Sequence, residues 1–234
     1  MSEFTDHLSR KWGELGPVIK GPSLTPAHDA LRDKVPAQMF EVWQEFGFSG
    51  FDNGRFWLCD PLEWQDAADA WLETLDLEMD DDYWVPLVRG ALGDLELWGP
   101  RTGMSVSIVP VRGEVYPNDM GDLISDAEDQ AMSIRSALRT YDEDSFVVYD
   151  DVTEEPLFEE CLAKLGPLTA DDMYTFVPVP ALGGQAIVET AVIEQAVPHM
   201  LLLASMQHKD VQGDISATQH QREQGMDEWI GGEG

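Results

Sequence analysis

Gly54-Arg55-Phe56-Trp57-Leu58-Cys59-Asp60-Pro61, running on through Trp64 to Leu75, is the stretch that sets the fold class. The apolar run Phe56 to Cys59 reads as a strand. Asp60 can cap a helix, Pro61 fits the first helical position, and Glu63 sits in the positive first turn. Trp64, Ala67, Ala68, Trp71, Leu72 and Leu75 then keep helical spacing over three turns. Upstream, Thr25-Pro26 starts a short helix to about Asp33, and Pro36 opens another. Its Met39, Val42, Trp43 and Phe46 lie at i, i+3, i+4 and i+7, and Gly47 stops it. Residues 1–24, with Gly13, Gly16, Pro17, Gly21 and Pro22, read as a lightly structured lead-in. Downstream of an acidic loop come three strand-like pieces, Tyr83 to Ala91, Asp94 to Trp98 and Met104 to Val111. Gly93, Gly99-Pro100 and Gly103 separate them as hairpin turns do. Helix, helix, strand, helix, strands is an α+β order.

The second half continues it. Pro117-Asn118 opens a long helix to about Arg139, with Met120, Leu123, Ile124, Ala127, Ala131, Ile134 and Leu138 as its stripe and an acidic opposite face. Ser145 to Tyr149 reads as a strand, Pro156 to Leu165 as a helix ended by Gly166, and Tyr174 to Val179 as a strand before a Gly183-Gly184 turn. A last helix is expected from about Glu189 to Met206, kinked at Pro198. Residues 207–234 form a polar tail, with a short docking segment expected at Met226 to Ile230. The expected fold is therefore two small mixed domains, helices on mainly antiparallel sheets, joined by a long acidic helix.

The 234 residues carry 45 Asp+Glu against 14 Lys+Arg, a net charge of −31. Nucleic acid and anionic membrane faces are poor partners for such a surface, because phosphate binding needs clustered cations. Hydrophobic residues make up 43%, enough for a real core and too many for wholesale disorder. Cys59 and Cys161 each sit in an apolar run and read as buried free thiols. No stretch of about 18 apolar residues occurs, and Met1 to Lys11 lacks the apolar core of a signal peptide, so a soluble cytoplasmic protein is expected.

The motifs of catalysis are missing: there is no phosphate-binding loop, no dinucleotide fingerprint, no His-Glu-x-x-His, no Gly-x-Ser-x-Gly and no Cys-x-x-Cys. The five histidines are scattered; His199 alone lies in an apolar helical context and reads as a satisfied helix histidine. No metal or cofactor is expected. Asp80-Asp81-Asp82 lacks the alternating oxygens and closing Glu of a calcium loop, so it reads as a solvated loop or a contact surface for a basic partner. Between Thr140 and Ala163 there are nine acids and no Lys or Arg. Trp98, beside Gly99-Pro100, is either a packing lid or an interface anchor. Gly50, Gly54, Gly183 and Gly184 read as turn glycines.

Two stretches together resemble known families. Val35-Pro36, Trp43-Gln44-Glu45-Phe46-Gly47-Phe48 and Gly54 to Pro61 are similar to the GAD-like domain, with its W-x-E-F-G-F helix end and G-x-F-W-L-x-D-P strand. Tyr174-Thr175-Phe176-Val177-Pro178-Val179-Pro180-Ala181-Leu182-Gly183-Gly184, then Pro198-His199-Met200-Leu201-Leu202-Leu203-Ala204, resembles the C-terminal domain of type VI secretion immunity proteins. Val179-Pro180 interrupts the second motif, and Pro198 stands where that helix usually has Glu. The resemblance covers about residues 25–115 and 145–205. It implies a lead-in (1–24), a GAD-like domain (25–115), a C-terminal immunity domain with the linking helix (116–206) and a tail (207–234).

It also implies a non-enzymatic function: binding and neutralising a cognate secreted nuclease, a DNase, as partner. Charge, not the motifs, marks the expected contact residues: Asp80, Asp81, Asp82, Asp94, Glu96 and Trp98, then Asp142, Glu143, Asp144, Asp150, Asp151, Glu154 and Glu155. Two other readings stand beside this one. One is a non-catalytic acidic interaction or regulatory module. The other is an enzyme using Glu63, Asp66 and Asp69 on one helix face, against which a solvated face is the simpler account.

Overall fold

The computed structural model describes residues 2–79 and 83–213. The elements in chain order are α1 (Glu3–Leu15), α2 (Ala37–Phe46), β1 (Gly50–Phe51), β2 (Phe56–Leu58), α3 (Pro61–Leu72), β3 (Val85–Gly90), β4 (Leu95–Gly99), β5 (Gly103–Val109) and β6 (Glu114–Pro117). There follow α4 (Ala127–Thr140), α5 (Leu157–Leu165), β7 (Asp172–Phe176), β8 (Ala191–Gln195), α6 (Ala196–Met206) and β9 (Asp210–Val211). The fold is α+β, with mainly antiparallel sheets. A seven-stranded sheet runs β1-β2-β3-β4-β5-β6-β9, antiparallel except for the β6–β9 pair, and β7 and β8 form a separate hairpin.

Strand alternation puts a core on each face of the large sheet. Phe56 and Leu58 of β2 and Trp98 of β4 pack with α1, α2 and the Ile134 and Leu138 stripe of α4. Leu95 and Leu97 of β4, with Ile108 and Val115, pack with Trp64, Ala68 and Trp71 of α3 and with Met200 and Leu203 of α6. A third cluster seats α5 and the β7–β8 hairpin on Trp57 and Leu92. Asp60 caps α3 as expected, accepting the Leu62 N–H at 3.0 Å, and its other contact is the buried His28 Nε2, also at 3.0 Å. Both cysteines are buried and free.

Four expectations are corrected. The lead-in contains α1, held by a capping box between Ser2 and Thr5, with Leu8 and Trp12 fully buried. Trp12 lies 4.6 Å from the Phe51 ring and 5.7 Å from Phe56, so α1 closes the aromatic core. The helix expected from Pro117 begins at Ala127 instead. Pro117 ends β6 opposite Val106, Gly121–Leu123 is a single 3₁₀ turn, and Asp126 is the true cap, accepting from Glu128 and Asp129 N–H. Ser145 to Tyr149 is irregular, with one bridge from Tyr149 to Pro156. The helix expected from Glu189 is strand β8 up to Gln195. α6 starts at Ala196, so Pro198 falls in its first turn, where an N–H has no intrahelical acceptor and no kink is needed. The docking segment expected at 226–230 lies outside the described residues.

Arg89 ties the two halves of the chain together. It is 1% exposed on β3, between the rings of Trp57 (4.8 Å) and Trp64 (4.9 Å). It donates to the Asp172 carbonyl at 3.2 Å and the Ala170 carbonyl at 2.7 Å. Burial pulls its pKa down to about 10, against the pull of Glu63, Asp172 and Asp171.

In the Ala181-Leu182-Gly183-Gly184 turn the last position allows no side chain. A Cβ there would stand 1.8 Å from the Pro178 carbonyl oxygen. Gly184→Ala should therefore cost about 1–3 kcal/mol, the usual range for overpacking against unyielding atoms. Urea denaturation reads it; a loss below about 0.5 kcal/mol would show that the turn relaxes freely.

Candidate functional site

The connection from α4 to α5 carries most of the expected acidic residues, and side-chain-to-backbone bonds shape it. Asp150 is only 2% exposed. Its Oδ1 accepts N–H bonds from Val152 (2.8 Å) and Thr153 (2.9 Å), and its Oδ2 accepts from Val188 (3.0 Å). Burial pushes its pKa up, but these donors outweigh that and hold the carboxyl below its usual range. Asp151 extends the clamp. Its N–H donates to the Ala186 carbonyl, its Oδ2 accepts the Ala186 N–H at 2.7 Å, and its Oδ1 binds Arg112 at 2.9 Å.

The clamp fixes residues 149–155 against residues 186–188 and turns the rest outward. Tyr149 is 53% and Val152 65% exposed, and Glu154 and Glu155 are exposed beside them. Leu182 is 65% exposed on the turn that leads to Ala186. Behind the loop, Arg55 anchors α5. It bonds Asp52 at 2.6 Å, pairs with Glu159, and lies 4.5 Å over the Phe158 ring. The result is an acidic rim around exposed apolar tips on a fixed backbone.

The other expected residues are placed differently. Asp142 makes a local turn, accepting from the Asp144 N–H and the Ser145 hydroxyl, while Glu143 and Asp144 face solvent. That turn leads into Phe146, whose ring stacks on Tyr141 at 5.6 Å. Asp94, Glu96 and Trp98 are not on the surface. They share the β4 face that α4 and Tyr141 cover, and Trp98 is 1% exposed, so it packs the core. Asp80, Asp81 and Asp82 lie outside the described residues. Glu63, Asp66 and Asp69 are exposed on α3, and the Gln65 amide donates to Asp69. His199 Nε2 meets the Thr175 hydroxyl at 2.8 Å, the satisfied helix histidine that was expected. Among the described residues no group of three or more His, Cys, Asp or Glu is placed to hold a metal ion, and no helix is long and apolar enough to cross a membrane.

Buried Asp94 and half-buried Glu96 make an acidic pair. Asp94 Oδ2 is buried without a hydrogen-bond partner, and burial raises its carboxyl to about 7. Glu96 is likewise raised to about 7 by burial, with Asp94 adding and the bond from Ser107 (2.8 Å) opposing. The folded state thus holds protons that the unfolded chain, with carboxyls near 4, releases. Between about pH 4 and pH 7 this contribution to stability falls as pH rises. Asp94→Asn with Glu96→Gln should therefore stabilise the protein at pH 8 and gain little at pH 5. A Tm difference that widens by more than ~5 °C from pH 5 to pH 8 is expected; a constant difference would overturn the assignment.

The structure is an α+β fold that exposes acidic residues and apolar tips along residues 149–155. Residues 12–111 match the GAD-like domain family, and residues 136–207 match the T6SS immunity protein Tdi1 C-terminal family. The chain belongs to the type VI secretion immunity proteins that join these two domains. The first match begins inside α1, upstream of where the sequence motifs started. Among solved structures it is similar to the crystal structure of Atu4351 from Agrobacterium tumefaciens, with a TM-score of 0.73 and 20% identity over 81% of this chain and 85% of that chain. At that identity the likeness speaks for the fold alone. Comparison with curated proteins gives no significant match.

Proposed function

We propose that this immunity protein neutralises a cognate type VI secretion DNase in the cytoplasm by laying residues 149–155 into the toxin's basic substrate cleft. The observation that carries the reading is the Asp150–Asp151 clamp. It presents carboxylates and apolar tips on a backbone that is already ordered, so little entropy is lost on binding. A nuclease cleft is built to attract phosphates, and a partner with net charge −31 is steered toward it. Exposed Glu154 and Glu155 stand in for substrate charge, while Tyr149, Val152 and Leu182 supply the desolvated anchor that holds a complex together. Blocking a cleft requires no chemistry from the immunity protein, in keeping with a non-enzymatic role.

The test is a titration of the protein into a cleavage assay of its cognate toxin. Stoichiometric loss of cleavage with a co-eluting complex is the expected result. A complex that forms without loss of cleavage would move the reading to the runner-up, a non-catalytic interaction or regulatory module.

A further inference from the structure

The net charge of −31 hides a local reversal. A cavity of about 420 Å³ lies between α1, α2 and α4, and Arg10, Arg135, Arg139 and His7 line it together with Glu3 and Glu41. Other cations among the described residues are engaged. Arg32, Arg55 and Arg112 pair with carboxylates, Arg89 binds carbonyls, and Lys164 donates to three carbonyls. By contrast, Arg10, Arg135 and Arg139 have no carboxylate within ion-pair distance among the described residues. Arg10 Nε donates only to the Asp6 carbonyl, and Arg135 Nε is buried with no hydrogen-bond partner.

Two of these side chains lie against one aromatic ring. The guanidiniums of Arg135 and Arg139 lie 5.9 and 5.4 Å from the Phe4 ring centre, and Lys11 donates to the Arg139 carbonyl. α1 and α4 thus bring three forked donors to one cavity, and Arg135 Nε among them has no partner. Glu3 and Glu41 sit on exposed positions of α1 and α2. They leave the site with an excess of positive charge.

We propose that this cavity is a binding site for a small phosphate-bearing anion. Guanidinium forks match the oxygens of a phosphate bidentately, and three that converge without carboxylate partners select for such a group. The volume is that of a small-molecule site. Size also decides against nucleic acid. A polyanion must run beyond the cavity across an acidic surface, whereas a compact phosphate stays within about one Debye length of the arginines, ~8 Å at physiological salt.

The test is isothermal titration calorimetry of the full chain with pyrophosphate and with inorganic phosphate, against sodium chloride at matched ionic strength. Saturable binding of pyrophosphate with Kd at or below ~1 mM is expected, weakened at least tenfold in Arg135→Gln/Arg139→Gln. The single variant Arg139→Gln, at an exposed position, should weaken it at least threefold and guards against a folding defect in the double variant. No saturable heat, or equal binding by the variants, would overturn the site. Citrate binding as tightly as pyrophosphate would overturn the phosphate assignment.

Discussion

Arg89→Ala should destabilise the fold by about 3–5 kcal/mol. The guanidinium is 1% exposed, so its loss leaves a void between Trp57 and Trp64 that the two rings cannot close without moving. It also leaves the carbonyls of Ala170 and Asp172 without these donors, at about 1–3 kcal/mol for each that stays buried and unsatisfied. Arg89→Met tests how these costs divide. It refills part of the void but satisfies neither carbonyl, so it should recover roughly half of the loss. Arg89→Lys keeps the charge but not the fork that reaches two carbonyls, and should also fall between Ala and wild type. Urea denaturation measures all three. For a chain of this size the Ala variant should lower Tm by more than ~6 °C. A loss below about 1 kcal/mol would show that Arg89 is a passenger and that the apolar packing of α3 with α6 and of α5 on Trp57 and Leu92 joins the two halves without it.

The legible parts of this fold were those whose signals are local. Asp60-Pro61 announces α3 because cap and first-turn proline act within four residues. α1 was hidden because its buried stripe is only Phe4, Leu8 and Trp12, and its cap pairs Ser2 with Thr5 rather than with an acid. β8 was absorbed into α6 because Val192 and Ile193 lead straight into the apolar run from Ala196, and only pairing with β7 separates them. β9 is a parallel partner of β6 almost a hundred residues away, and nothing local marks it.

The acidic character of the α4–α5 connection and of β4 was equally legible, but the sorting of their carboxylates was not. Asp94 and Glu96 alternate with Leu95 and Leu97, the pattern of a half-buried strand with a wet face. Here α4 and Tyr141 cover that face, so the alternation separates two cores, with Asp94 buried and Glu96 half-buried. Asp150 misleads in the same way: in an acidic run it looks like solvent-facing charge, yet three backbone donors claim it. What remains exposed is the subset that the clamp turns outward.

Those outward residues should divide cleanly in kinetics. Tyr149→Ser with Val152→Ser should raise the dissociation rate from the cognate toxin about 100-fold. Two desolvated anchors worth about 1.4 kcal/mol each add to two powers of ten. Association should hardly change, because no charge is altered. Glu154→Lys with Glu155→Lys should do the reverse: rim charges set the encounter rate, so association should fall by at least tenfold at low salt and lose much of its ionic-strength dependence. Neither pair touches the Asp150 or Asp151 bonds, so both should keep the wild-type Tm, and any effect belongs to the interface. Asp150→Ala completes the set. Freeing the Val152, Thr153 and Val188 N–H groups releases the loop, and both rates should then suffer, since a mobile loop presents neither charge nor anchor in one geometry. Surface plasmon resonance against the toxin at 50 and 500 mM salt separates these outcomes. If both paired variants leave the rates within twofold of wild type, residues 149–155 are not the contact, and the binding face must lie elsewhere on the molecule.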